Sequence, residues 1–290
     1  RGFLIALPTF FLPAIFIFYI APLAFDPATA GWLALGFYVI AVPLIAAARY
    51  LMRRYQLSRT RWRGIRLSLS GGAFAFACAS SAWTILQILS FGWYTPVARM
   101  NRARYLWRNT RFGDQPFEFV NDGRSAQYGL WWPFALGWFG WIAAFVVATA
   151  AAFIGVGVLG LSGQLAPTEA GEPGEAQVWA ILGVIAATLV SFVFTLAAFW
   201  TPYNAAAMNR IASLLQLDGA RFRLKTRTAP LFLVTFAGWA VLLFSLGLLA
   251  PLAGFLQLRY VMNRLEMIGR PGFDSIGQNL AVARMKLGQL

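Results

Sequence analysis

The sequence predicts an all-α integral membrane protein, with about six hydrophobic helices and short β-strand and amphipathic-helix elements on the cytoplasmic side. Three observations carry this expectation. The 290-residue chain is 59% hydrophobic and only 12% charged, where a soluble domain carries roughly 25% charged residues. Its apolar residues gather in unbroken runs rather than in stripes. The charge that remains is lopsided, 24 Lys+Arg against 10 Asp+Glu, and lies between those runs.

Six runs matter: 3–25, 31–48, 73–93, 130–161, 178–200 and 229–250. A helix rises about 1.5 Å per residue, so about 20 residues cross a ~30 Å hydrocarbon core. All six approach or exceed that length. The run 130–161 is too long for one untilted pass, and Trp131-Trp132-Pro133 at its start and glycines at its end suit the two interfaces. Aromatic pairs at run ends, such as Trp93-Tyr94, fit an interfacial belt. Helices are expected because lipid offers unpaired backbone groups no partner. A transmembrane barrel would show alternating segments of about ten residues, a pattern the runs lack.

Four basic segments lie between the runs, at 49–66, 99–124, 210–227 and 259–284, and only Lys225 and Lys286 are lysines. Nucleic acid is a poor partner for basic patches set between long apolar runs. Anionic phospholipid is the better one, since each cation near such a surface gains about 1 kcal/mol. The connector 162–177 is different in kind, with Glu169, Glu172 and Glu175 and no cation. The positive-inside rule sets that connector in the periplasm and the basic segments in the cytoplasm of a multi-pass bacterial inner-membrane protein. A conflict follows. The runs 73–93 and 229–250 each separate two basic segments. If each crosses once, some arginine-rich segments face outside; if all four basic segments share the cytoplasm, those runs are re-entrant or interfacial. The charge rule favours the second placement, while the length of both runs permits the first.

The basic segments resemble one another. Each follows a run with a proline near its end: Pro43, Pro96, Pro202 and Pro251. Six to eight residues on stands an arginine, as Arg49-Tyr50, Arg104-Tyr105, Arg210-Ile211 and Arg259-Tyr260. Further along comes an aromatic (Trp62, Phe117, Phe222, Phe273), preceded in three copies by Gly113, Gly219 or Gly269. The implied unit is a membrane helix, a proline-marked exit, a basic interfacial helix, a turn and a short strand. Arg104, Arg108 and Arg111 have the i, i+4, i+7 spacing of one helical face. Alternation at Ile65, Leu67 and Leu69, at Phe117 and Phe119, and at Phe222 and Leu224 predicts short strands that pair with each other or pack under the helices. At a coarser level the single membrane domain, 1–290, reads as two halves, 1–124 and 125–290. Duplication is the favoured reading, and chance similarity between apolar segments its competitor. If the third run of each half crosses, the halves are inverted; if it does not, they are parallel.

The stretches "LSRTRWRGIRLSLSGG" at 57–72 and "LSFGWYTPVARMNRARYLWRNTRFGDQPFEF" at 89–119 resemble the YjgN-like family of bacterial inner-membrane proteins. The family pattern is a "TLG-x-Y-x-P-W-A" exit, an Arg/Tyr run, "N-T" and a "G-x-x-F-x-Y-x-G" strand. Pro96, Ala98, Asn109-Thr110, Gly113, Phe117 and Gly123 match in place, and Val97 departs from the usual tryptophan. The match is specific over about 45–130 and weaker beyond. The resemblance implies a membrane location and architecture, and brings no activity with it.

The chemistry the residues permit is narrow. There is no histidine, which removes the commonest metal ligand and general base. All ten carboxylates lie outside or at the ends of the apolar runs, whereas ion-coupled transporters usually hold one at mid-membrane. No catalytic, metal or cofactor site is therefore expected. Cys78 is expected to be a small apolar side chain, and Ser80, Ser81, Thr84, Gln87 and Ser191 to hydrogen-bond between helices. No secretory cleavage site is evident, and a chain that opens on Arg1 leaves its true N-terminus open. The expected function is that of a non-enzymatic membrane protein whose arginine-rich faces contact anionic phospholipid or partners. Arg49, Arg104, Arg108, Arg111, Arg210 and Arg259 are the candidate contacts, since guanidinium offers phosphate a bidentate fork. The alternative is a transporter or channel for a small or anionic solute.

Overall fold

The computed structural model describes residues 10–62, 64–120, 123–163, 174–245 and 247–269. Expectations placed on 3–9, Asp122, Glu169, Glu172, Phe273 and the basic tail from Arg270 lie outside the described residues. The described chain is mostly helical and divides into two compact units, one ending at Phe119 and the other starting at Val120.

The first unit opens with helix α1, Leu12–Ala24, an apolar segment whose middle turn, Phe16–Ile20, is a π-helix. Helix α2, Pro27–Arg59, follows. Asp26 caps it by accepting from the Thr29 N–H at 3.0 Å and the Thr29 hydroxyl at 2.6 Å, and Pro27 occupies the first turn, where no amide is needed. Strands β1, Arg61–Trp62, and β2, Ile65–Leu69, form a hairpin. Helix α3, Ala73–Leu89, runs away from it, and α4, Thr95–Arg108, runs back. The chain then forms β3, Thr110–Phe112, β4, Gln115–Pro116, and β5, Glu118–Phe119. Strand β3 pairs antiparallel with β2, Leu69 opposite Thr110, and β4 pairs with β3. Because β2 enters the α3–α4 hairpin and β3 leaves it, that pairing brings both ends of the hairpin to one sheet.

The reversal is built from named contacts. The Gly92 N–H reaches the Gln87 carbonyl at 2.7 Å, and the Ser90 hydroxyl accepts from the Tyr94 N–H at 2.9 Å. Gly92 sits at φ +89°, a left-handed conformation that costs other residues a Cβ clash. At the sheet end, the Tyr105 ring lies 5.2 Å from that of Phe76, and its hydroxyl reaches the Gly72 carbonyl at 3.5 Å. Tyr50 of α2 is fully buried and donates to the Ser70 carbonyl just beyond β2.

The second unit contains two long helices, α5, Trp131–Leu161, and α6, Glu175–Ser213. A hairpin of β6, Leu215–Leu217, and β7, Ala220–Leu224, follows. Its turn is Asp218-Gly219, both at positive φ (46° and 76°), the pattern of a type I′ turn. Helix α7, Thr228–Phe244, leaves the sheet and α8, Ala250–Met262, returns to β8, Leu265–Ile268. Strand β8 pairs antiparallel with β7, Leu224 opposite Leu265. Here the Gly247 N–H reaches the Leu242 carbonyl at 2.8 Å, and the Ser245 hydroxyl accepts from the Leu249 N–H at 3.1 Å. Tyr260 donates to the Arg227 carbonyl at 3.2 Å, at the start of α7.

Three helices, α2, α5 and α6, are long and apolar enough to cross a membrane. Their packing inverts that of a soluble protein. Apart from Tyr50, Phe134 and Tyr203, what they bury is mostly small (Ala41, Ala46, Gly140, Ala144, Ala205, Ala207), while Val39, Val146 and Leu189 are 66%, 63% and 59% exposed. Small residues let helices approach closely where lipid removes the hydrophobic drive between them. A Cβ on Gly140 would stand 2.4 Å from the Phe199 Cβ, and one on Gly155 2.7 Å from a Val184 methyl.

The structure corrects several expectations. Pro43 and Pro202 do not end their helices; each lies inside one continuous helix, of 33 and 39 residues. Proline removes a single intrahelical bond, and the rest of these long ladders carries the helix past it. Pro96 and Pro251 instead start new helices, in the first turn where a missing N–H costs nothing. Arg111 is not on the helical face of Arg104 and Arg108, because α4 stops at Arg108 and Arg111 is the middle residue of β3. Phe117 is not in a strand, although Glu118–Phe119 are. The runs 73–93 and 229–250 are each broken, into α3 and a turn, and into α7 and a turn.

Candidate functional site

The singled-out arginines take different positions. Arg49, near the C-terminal end of α2, lines a cavity of about 420 Å³ bounded by α2, α3 and α4. Arg104 sets its guanidinium carbon 5.6 Å from the centre of the Phe119 ring, a cation–π contact at the sheet. Arg108 ends α4 and is exposed, and Arg111 sits opposite Pro116 and Ser68 in the sheet. In the second unit Arg210 donates to the Ser125 carbonyl at 3.0 Å and the Ala126 carbonyl at 3.2 Å, which ties α6 to the loop before α5. Arg259 lines a cavity of about 460 Å³ with Arg264, whose guanidinium carbon lies 3.9 Å from the Tyr260 ring centre. Within the first unit Arg49 lines a cavity that Arg104, Arg108 and Arg111 do not, and within the second Arg259 lines one that Arg210 does not.

The glycines set between strands have a clearer job. Gly113, Gly219 and Gly269 have φ of 61°, 76° and 107°. Gly113 and Gly269 directly follow β3 and β8, Gly219 directly precedes β7, and Gly269 has a second constraint, since a Cβ there would meet the Ala220 Cα at 3.2 Å.

The most developed polar cluster centres on Arg102, a residue that the sequence reading did not single out. Its Nε donates to the Ser80 hydroxyl at 3.3 Å, and its Nη2 to the Thr84 hydroxyl at 2.9 Å and the Gln87 amide oxygen at 2.8 Å. Ser80, Thr84 and Gln87 follow the i, i+4, i+7 row of α3, so one helix face offers three oxygens to an arginine on the returning helix. The Gln87 amide also donates to the Thr95 hydroxyl at 3.1 Å, which closes the network toward the turn. The hydrogen bonding expected of Ser80, Thr84 and Gln87 thus has a specific recipient, and their regular spacing within an apolar run was the available signal. All four residues line the same cavity as Arg49, with Val42, Ile45, Ala46, Tyr50, Phe76 and Leu106. Among the described residues no carboxylate lines it.

None of the curated proteins and none of the solved structures compared with the chain matches it. The model of a family described as bacterial protein of unknown function, DUF898, matches residues 1–288. That match spans nearly the whole chain and agrees with the resemblance carried by the exit and "N-T" motifs: the chain belongs to the DUF898 family of bacterial proteins.

Proposed function

We propose that the protein is a non-enzymatic, multi-pass inner-membrane protein built from two parallel copies of one unit. Each copy presents an arginine-rich, sheet-bearing end to anionic lipid at the cytoplasmic surface. In this reading the run 3–25 and helices α2, α5 and α6 cross the membrane, whereas the hairpins α3–α4 and α7–α8 enter from the sheet side and return to it.

The observation that carries the reading is the pairing of β2 with β3 and of β7 with β8. A strand before each hairpin is bonded to the strand after it, and a lipid core cannot lie between paired strands. The two runs that set the charge rule against chain length then need not cross, and all four basic segments share one side. Duplication is supported by equivalent contacts. Ser90 and Ser245, Gly92 and Gly247, Pro96 and Pro251, and Tyr105 and Tyr260 all stand 155 positions apart. Each pair makes the same turn, helix start or sheet-end hydrogen bond.

Cysteine labelling from each face of the membrane, on a Cys78→Ala background, tests the reading. Single cysteines at Ser58 and Gln115 flank the first hairpin, and Ser213 and Glu266 flank the second. All four are expected to react from the cytoplasmic face, and a cysteine at Ser162 from the opposite face. Opposite sidedness of Ser58 and Gln115, or of Ser213 and Glu266, would refute it.

A further inference from the structure

We propose that the cavity between α2, α3 and α4 binds an anionic amphiphile, a phosphate head on a hydrocarbon body, with Arg102 and Arg49 contacting the head. The proposal deepens the lipid-contact reading above and rests on it for the surrounding medium.

The walls match such a ligand in both of its parts. Two guanidinium groups line the cavity, and no carboxylate among the described residues does. Ser80, Thr84 and Gln87 fix the orientation of Arg102 through neutral oxygens. These three acceptors take the Nε hydrogen and both Nη2 hydrogens, so the guanidinium meets an anion through its Nη1 edge and its charge rather than as a bidentate fork, and a carboxylate at any of the three positions would weaken that attraction. A pre-positioned guanidinium in low-dielectric surroundings attracts an anion more strongly than it would in water. The remainder of the wall is hydrocarbon, from Val42, Ile45, Ala46, Phe76 and Leu106. Its volume of about 420 Å³ lies within the range of small-molecule sites. A hydrated inorganic anion would waste this apolar wall, and a neutral lipid would waste the arginines.

The second unit supplies an internal contrast. At the 155-residue spacing the counterparts of Arg102, Thr84 and Gln87 are Gln257, Trp239 and Leu242. The hairpin and its turn recur there without the charged network. An arginine at this place is thus not needed to form such a hairpin, although Thr235 keeps the hydroxyl of Ser80, and its presence in the first unit fits a recognition role beside its bonds between α3 and α4.

The test uses the full chain in neutral detergent and isothermal titration with three probes: dioctanoyl phosphatidic acid, dioctanoylglycerol and inorganic phosphate. Dioctanoyl phosphatidic acid is expected to bind at least tenfold more tightly than either other probe. Arg102→Gln and Arg49→Gln are each expected to weaken it about tenfold or more, whereas Arg221→Gln, on an exposed strand position of the second unit, is not. Val42→Phe fills the cavity and keeps both charges, and is expected to weaken the amphiphile as well. Equal binding of dioctanoylglycerol would overturn the anionic part, and equal binding of phosphate the amphiphilic part. Unchanged affinity in Arg49→Gln and Val42→Phe would overturn the site itself, even if Arg102→Gln failed to fold. Because binding is read in detergent, its failure leaves the labelling pattern of the topology intact, and a failed topology leaves this titration interpretable.

Discussion

At the scale of single residues, structure and sequence meet most closely at the glycines and tyrosines. Gly219 holds φ at 76° with open space around its Cα, so a side chain there pays conformational strain alone. Gly219→Ala is expected to destabilise the second unit by about 1–2 kcal/mol, measured by the denaturation midpoint in detergent, and no loss would remove the turn's claim on glycine. Tyr260→Phe deletes the hydrogen bond to the Arg227 carbonyl and is expected to cost about 1 kcal/mol by the same measurement. The sequence marked these positions because a glycine before an aromatic and a tyrosine after an arginine recur. It did not mark Arg102, since four other arginines in 99–111 share its type. What distinguishes Arg102 is a row of oxygens on a different helix, and pairing between separate helices is not written in local spacing.

Helices and strands were legible to different degrees. Long apolar helices follow from composition, and α5 and α6 cover most of the runs that announced them. Strands of two to five residues were legible only where alternation was complete, as at Ile65–Leu69 and Ala220–Leu224. Strands β3 and β8 went unread: β3 is three residues long, too short for a period of two to register, and in β8 every residue is exposed, so no buried face alternates. The exit prolines were misread because a proline inside a long helix and one at a helix start look alike in sequence. Packing between α5 and α6 depends on glycines inside an apolar run, where sequence alone does not say which of them meets a neighbour. Gly140→Val is expected to cost about 1–3 kcal/mol through overpacking against Phe199, and an unchanged midpoint would deny that contact. The start of α2 carries a pH dependence. The Thr29 hydroxyl, and then its N–H, hold the Asp26 carboxyl below its ordinary value. Its capping contribution is present at neutral pH, above the unfolded value, and is lost as pH falls through the lower folded value. The protection factor of the Thr29 amide, its exchange rate corrected for the intrinsic pH dependence, is expected to fall on acidification, and Asp26→Asn to abolish that fall.

For the molecule as a whole, the charge and hydropathy patterns agree with the three helices long and apolar enough to cross a membrane, and they left the two shorter runs open between crossing and re-entry. The conflict between run length and positive charge is a conflict only if an apolar run must cross. Paired strands at both ends of α3–α4 and of α7–α8 offer another route. If the arginine-rich ends meet anionic lipid, replacing Arg104, Arg210 and Arg259 together by glutamine is expected to weaken binding to phosphatidylglycerol liposomes and flatten its salt dependence. A flotation assay across a salt series reads this, and an unchanged series would count against lipid contact at those residues.

The account depends above all on hydrocarbon surrounding the outward apolar faces of α2, α5 and α6. Nitroxide labels at Val39, Val146 and Leu189, on a Cys78→Ala background in reconstituted bilayers, measure this through collision rates with oxygen and with a water-soluble nickel chelate. Oxygen is expected to dominate at all three sites, with the chelate excluded. Chelate collisions there as frequent as at a label on Ser58 would contradict the account.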